Sequence, residues 1–77
     1  MNAKEALKEV LESAKPMTTT SHSRRILVEQ CARSGIVIDT DLNIINEITE
    51  AHIKRLSENL SNAVIRMVIR RVLRKYQ

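Results

Sequence analysis

The chain lacks tryptophan and phenylalanine, and Tyr76 is its one aromatic residue. Proteins that bind single-stranded nucleic acid stack the bases on aromatic side chains, so this composition argues against that mode of recognition. Helices that lie on a membrane surface use tryptophan and phenylalanine as anchors. We therefore do not expect the protein to bind a membrane surface.

Cysteine, glycine and proline occur once each, as Cys31, Gly35 and Pro16. A single cysteine excludes an intramolecular disulfide and suits a reducing compartment, so we expect an intracellular protein. The histidines, His22 and His52, form no short-spaced ligand pair with each other or with Cys31, as a zinc site requires. We expect neither a metal nor another cofactor.

The sequence also lacks the motifs that mark common enzyme sites. It contains no glycine-rich phosphate loop and no nucleophile elbow. A ligand pocket of about 300 Å³ or more is difficult to build in a domain this small. We expect a protein that is not an enzyme and has no small-molecule substrate.

Long apolar runs are absent as well. No run of about 18 apolar residues exists, and the first 15 residues alternate charges, so we expect neither a membrane span nor a signal peptide. Residues 1–77 are expected to form a single small helical domain. A domain of this size buries only roughly 60% of its unfolded surface, and without a disulfide or metal we expect oligomerisation to stabilise it.

Alanine, leucine, isoleucine and long charged residues dominate what remains, which predicts an all-α fold of three helices. The first covers residues 3–14 and ends before Pro16, and the second covers 23–33 and ends before Gly35. Residues 36–38 are β-branched and predict a short extended segment. A third helix is predicted over 41–75, with Thr40 as its N-cap.

The predicted third helix would be about 50 Å long, whereas a compact chain of this length has a radius of gyration of about 11–12 Å. Either the helix breaks within 57–62, where serine and asparagine cluster, or another chain covers its apolar stripe. We favour a covering partner, which makes the long helix the core of a dimer. The interface residues predicted from the stripe are Ile53, Leu56, Leu60, Val64, Met67 and Val68.

Positive charge is concentrated at the end of the chain. Residues 51–77 contain seven basic residues and one acidic residue, whereas residues 1–50 contain six basic and eight acidic residues. Arg66, Arg70 and Arg74 are four residues apart, with Arg71 and Lys75 beside them. Such a row can bind nucleic-acid phosphates, although cations also complement the C-terminal end of a helix dipole.

The segments 25–35, 36–41 and 42–67 follow the order short helix, extended segment, long central helix. This order, together with Ala51-His-Ile-Lys-Arg-Leu56 inside the long helix, resembles the histone-fold subunits of transcription complexes. The resemblance implies an obligate pair of chains with crossed long helices, and basic loops and helix ends that contact DNA phosphates.

Two functions follow from the sequence as alternatives. The first is a small regulatory or architectural protein, with a role such as transcription regulation, that oligomerises and contacts the DNA or RNA backbone through its basic C-terminal helix. The second is a protein-interaction module, such as an adaptor, an inhibitor or a complex subunit, that docks through the apolar stripe. The partner is then a second copy of the chain or a different helical protein.

Overall fold

The computed structural model describes residues 2–76, which fold into four α-helices with a Cα radius of gyration of 11.0 Å. The all-α prediction is confirmed, but the count of three helices is wrong. None of the described helices has the length and apolar character needed to cross a membrane. The helices are α1 (Ala3–Ala14), α2 (Ser21–Arg33), α3 (Glu50–Asn59) and α4 (Ala63–Lys75), and a 3-10 turn (Lys15–Met17) follows α1.

Helix α1 has the bounds predicted from its periodicity. The Asn2 side chain caps it by accepting a hydrogen bond from the backbone N–H of Glu5 at 3.1 Å. Leu7, Val10 and Leu11 lie on one face and are buried. The helix ends at the predicted residue and continues into the 3-10 turn, but Pro16 does not push the residue before it out of helical geometry, because Lys15 keeps φ −53° and ψ −47°.

Helix α2 begins two residues before the predicted start at Ser23. Its N-cap is Thr20, whose hydroxyl accepts a hydrogen bond from the Ser23 N–H at 3.1 Å while the Ser23 hydroxyl accepts one from the Thr20 N–H at 3.2 Å. This reciprocal pairing satisfies two backbone donors at once and fixes the start of the helix. Gly35, with φ +84°, follows its end.

Residues 41–49 are not helical, so the predicted helix over 41–75 is wrong in its first part. The extended segment expected at 36–38 forms one arm of a small hairpin, joined by an antiparallel bridge between Ile38 and Ile44. At its tip, the Asp39 carboxylate accepts hydrogen bonds from the N–H groups of Asp41 and Asn43, both at 2.9 Å. Because these bonds compete with helical pairing, α3 begins only after its own N-cap, Thr49, and not after Thr40.

The second part of the predicted helix is divided in two. Leu60 has an extended backbone (φ −72°, ψ 129°) and is buried, and two further residues separate it from α4. The Asn62 side chain caps α4 by accepting hydrogen bonds from the N–H groups of Val64 (2.9 Å) and Ile65 (3.2 Å). The helix therefore breaks within 57–62, which is the alternative that we did not favour, and the break lets the apolar stripe fold back on the same chain. The dimer expected from a continuous helix stays a prediction.

One core joins the whole described chain. Helix α1 packs mainly on α4, and α3 contacts each of the other helices. The largest fully buried side chains come from three helices and the hairpin: Leu7, Ile36, Ile53, Leu56 and Ile69. Since α4 buries one face against α1 and α3, its opposite face points outwards.

Candidate nucleic-acid interface

Helix α4 carries the site, and the turn before it determines which face is exposed. Ile65, Val68, Ile69 and Val72 are buried in the core. This inward face and the Asn62 cap fix the rotation of the helix about its axis. The exposed residues of α4 before Lys75 form its outward face, which consists of Ala63, Val64, Met67, Arg70, Arg71 and Arg74.

Three predicted phosphate contacts lie together on the outward face. Arg70, Arg71 and Arg74 are exposed, and with Met67 they line a shallow depression of about 300 Å³. Within residues 2–76, none of the three arginines forms an ion pair with a carboxylate. Arg66, a fourth predicted contact, is half-buried at the edge of this face and is likewise unpaired in the described chain. The arginines therefore present charge that the fold itself does not use.

Lys75, the fifth predicted contact, has a different role. Its Nζ atom donates a hydrogen bond to Glu9 Oε1 at 2.7 Å, which joins the end of α4 to α1. This bond, and the attraction of the Glu9 carboxylate, raise the pKa of Lys75 above its ordinary value. The same Nζ lies 5.8 Å from the centre of the Tyr76 ring. Lys75 is thus engaged within the chain.

The predicted interface stripe requires correction, because four of its six residues are core residues of the single chain. These are Ile53, Leu56, Leu60 and Val68, all at most 8% exposed. Val64 and Met67 are 54% and 64% exposed, and they lie on the outward face of α4 beside the arginines. The stripe that remains available to a partner is reduced to these two residues.

The hairpin presents a second apolar pair, which the sequence analysis missed. Val37 and Ile45 are exposed on its outer side, and the Ile45 N–H donates to the Val37 carbonyl at 2.9 Å. A signal for this hairpin in the sequence is Asn46. Its side chain makes hydrogen bonds to the backbone of the opposite arm, at the open end of the hairpin. It accepts from the Val37 N–H and donates to the Gly35 carbonyl, both at 2.9 Å.

Arg24 shows how this fold uses an arginine for structure. Its Nε donates to the Thr18 carbonyl at 3.1 Å and its Nη1 to the Thr40 carbonyl at 3.0 Å. The guanidinium therefore links the start of α2 to the hairpin. The three outward arginines of α4 make no comparable hydrogen bond to the described residues, which sets them apart as candidates for an external anion.

Two further features of the described residues bear on chemistry, the thiol of Cys31 and the grouping of metal-binding side chains. Cys31 is fully buried, and burial raises the pKa of its thiol to about 12, so it remains protonated at neutral pH. Across residues 2–76 the structure places no three His, Cys, Asp or Glu side chains close enough to hold a metal ion. The unpaired arginines of α4 are therefore the groups in the described chain best suited to bind an anion.

Comparisons of the chain with protein-family models, with curated proteins and with solved structures give no match. The resemblance to histone-fold subunits stays a prediction. The outward face of α4 is the feature of the described chain that points most directly to a ligand.

Proposed function

We propose that this protein is a non-enzymatic regulatory or architectural protein that binds the backbone of duplex nucleic acid through the outward face of α4. The observation that supports this most strongly is the cluster of Arg70, Arg71 and Arg74, exposed together and without a carboxylate partner in the described chain. Guanidinium groups bind phosphate through two parallel hydrogen bonds, so one row of them can follow a polyanion.

The helix dipole alone does not account for this cluster. Cations in the last turn of a helix stabilise it, and Arg74 and Lys75 already occupy that turn. Arg66 and Arg70, like Arg70 and Arg74, are four residues apart, and like charges at this spacing destabilise a helix. A polyanion bound along this row would remove the repulsion, which favours an external ligand over a solvated helix end.

A duplex is favoured by the way α3 and α4 are joined. Helix α3 ends at Asn59 and α4 begins at Ala63, so a three-residue turn separates two short helices. Two short helices joined by a turn of this length also occur in helix-turn-helix proteins, in which the second helix enters the major groove and the first crosses the backbone. Single-stranded nucleic acid is not favoured, because aromatic stacking platforms are missing.

The decisive experiment compares two triple variants with the same change in net charge. The first replaces Arg70, Arg71 and Arg74 with Gln, and the second replaces Lys4, Lys8 and Arg33, which are exposed elsewhere, with Gln. Affinity for a duplex is measured by fluorescence anisotropy over a range of salt concentrations. Each lost phosphate contact reduces the slope of log K against log salt by about 0.9, so the first variant should lose about 2.7 of slope.

The control variant should keep most of the slope, because its charges lie away from α4. Equal losses in both triple variants would show that only net charge matters and would overturn the proposal. Absence of duplex binding by the unaltered protein at low salt would also overturn it.

A second candidate function, protein interaction, is supported by the hairpin pair. Val37 and Ile45 are 49% and 62% exposed and adjacent, so they offer an apolar surface to a second copy or to another helical protein. Light scattering on the unaltered protein and on a Val37→Ser/Ile45→Gln variant tests self-association. A dimer that the variant converts to a monomer would support this function, and a monomeric unaltered protein would restrict it to a different partner. We place either function inside the cell, where Cys31 stays reduced.

A further inference from the structure

We infer that α4 distinguishes DNA sequences through thymine methyl groups, which Val64 and Met67 contact in the major groove. This inference rests on the proposed function, and it names the ligand more narrowly as duplex DNA with thymine beneath the first half of the helix.

The outward face of α4 has two chemically distinct halves. Its N-terminal half is apolar, with Ala63, Val64 and Met67, whereas its C-terminal half carries the three arginines. At a rise of 1.5 Å per residue, Val64 and Arg74 lie about 15 Å apart along the helix axis. The major groove is about 12 Å wide, so a helix that inserts its first half leaves its second half near the flanking phosphates.

The apolar half contributes little to the isolated fold. Val64 and Met67 are the most exposed large apolar side chains of the four described helices. Valine is also a weaker helix former than alanine, and an exposed position gives it little packing in return. A ligand that covers both halves of the face would bury these two side chains together with the arginine cluster, and it would explain why they are exposed in the isolated chain.

The centre of the same half holds no hydrogen-bonding side chain, since Ala63, Val64 and Met67 are all apolar. Specific contacts to base edges come mostly from arginine, lysine, asparagine or glutamine near the start of the inserted helix. Asn62 and Arg66 are the nearest such residues: the Asn62 side-chain oxygen already accepts the N–H groups of Val64 and Ile65, and Arg66 is half-buried at the edge of the face. The principal apolar group that base pairs display in the major groove is the 5-methyl of thymine. Apolar contact with that methyl is therefore the recognition that this half of the helix can provide.

The test removes only the methyl groups. Fluorescence anisotropy measures the Kd of the full chain for two DNA duplexes. The first has about 20 alternating A·T pairs, which is about two turns of the double helix, and the second is the same duplex with deoxyuridine in place of every thymine. Burial of one methyl group changes Kd by about fourfold. With one or two methyl groups contacted, the deoxyuridine duplex should bind roughly 4- to 16-fold more weakly.

Variants then assign the effect to α4. A Val64→Ser/Met67→Gln variant should bind the two duplexes equally and keep its salt slope, because its arginines are unchanged. Both positions are exposed, so circular dichroism should show an unchanged helical fold. The matched control, Met17→Gln/Ile26→Ser, makes the same kind of change at exposed apolar residues outside α4 and the hairpin, and it should keep the ratio of the two Kd values.

Each other outcome overturns the inference in a recognisable way. Equal affinity of the unaltered protein for both duplexes would overturn the methyl reading, and the proposed function would survive if the arginine variant still lost its salt slope. A preference for thymine that persists in the Val64→Ser/Met67→Gln variant would show that other residues contact the methyl groups, and it would overturn the inference. Failure to bind either duplex would overturn the inference and the proposed function together.

Discussion

The imidazole of His52 lies against Gly35, in the place that a larger residue would need. A Cβ atom on Gly35 would stand 2.9 Å from His52 Cδ2 and 3.2 Å from Nε2, closer than carbon atoms pack. Gly35 also has φ +84°, in the left-handed region that other residues avoid. His52 is held in turn by the Thr49 N–H, which donates to its Nδ1 at 2.9 Å. The end of α2 and the first turn of α3 can thus pack together in this way because Gly35 has no side chain.

We expect Gly35→Ala to destabilise the protein by about 2–4 kcal/mol, because the left-handed backbone and the overpacking each cost about 1–2 kcal/mol. Urea unfolding followed by circular dichroism measures this change. The double variant with His52→Ala should recover the steric part, so the two substitutions should not be additive. A loss of only about 1–2 kcal/mol would show that the contact with His52 relaxes freely, and a loss below about 0.5 kcal/mol would contradict both causes.

The Asn62 cap should determine where α4 begins. Asn62→Ala removes the acceptor of two N–H groups and should cost about 1 kcal/mol. Asn62→Asp keeps the acceptor and adds a negative charge at the helix N-terminus, so its stability should equal or exceed that of the unaltered protein. Equal stability of the alanine and aspartate variants would contradict this role for the cap.

This cap also explains which parts of the fold the sequence predicts. Helix α1 is predictable because its apolar spacing, its start and its proline stop agree. The spacing of Leu56, Leu60 and Val64 continues a helical stripe, although the chain breaks beside Leu60. No glycine or proline marks that break, which depends on a single side-chain cap. Serine and asparagine also occur at many positions where no helix begins or ends, so their presence alone does not locate the break.

The candidate site follows the same division. Spacing alone places Arg66, Arg70 and Arg74 on one face, and the structure shows Arg70 and Arg74 exposed but Arg66 half-buried at the edge of that face. That Lys75 is paired could not be predicted, because Glu9 lies 66 residues away and approaches only when α1 packs on α4. Similarly, Leu42 has φ +64°, which no helix-forming pattern suggests for leucine.

The hairpin tip should make stability depend on acid pH. Hydrogen bonds from the Asn43 N–H, and also from its side chain and from the Asp41 N–H, lower the pKa of Asp39 below its ordinary value of 3.8. Because the folded pKa is the lower one, the stabilisation is present above pH 3.8 and is lost as pH falls through the folded pKa. Asp39→Asn should therefore lower the thermal midpoint at neutral pH, and the difference should shrink at strongly acid pH. Asp41→Asn, whose carboxylate accepts none of the described hydrogen bonds, is the control, and a pH-independent effect of Asp39→Asn would contradict the prediction.

The thiol of Cys31 should react only when the core opens. Its pKa of about 12 leaves almost no thiolate at pH 8, and the side chain is fully buried. A disulfide reagent such as Ellman's should label the native protein far more slowly than the urea-unfolded chain. The variant Cys31→Ala/Ala32→Cys moves the thiol to an exposed neighbouring position and should react at once. Equally rapid labelling of the native unaltered protein would show that the core around α2 opens readily.

Lys75 and Arg74 are neighbours for which we expect opposite phenotypes. Lys75→Gln removes the partner of Glu9, whose Oε2 is already buried without a hydrogen bond, so the thermal midpoint should fall while duplex affinity keeps its salt slope. Arg74→Gln removes an exposed, unpaired charge, so the slope should fall by about 0.9. The midpoint should change less than in Lys75→Gln, because the loss of a cation near the helix C-terminus is offset by relief of the repulsion from Arg70. Differential scanning fluorimetry and salt-dependent anisotropy on the same samples measure both quantities. If Lys75→Gln lowered the slope as much as Arg74→Gln, Lys75 would have to leave Glu9 on binding, and the phosphate-binding surface would extend to the end of α4.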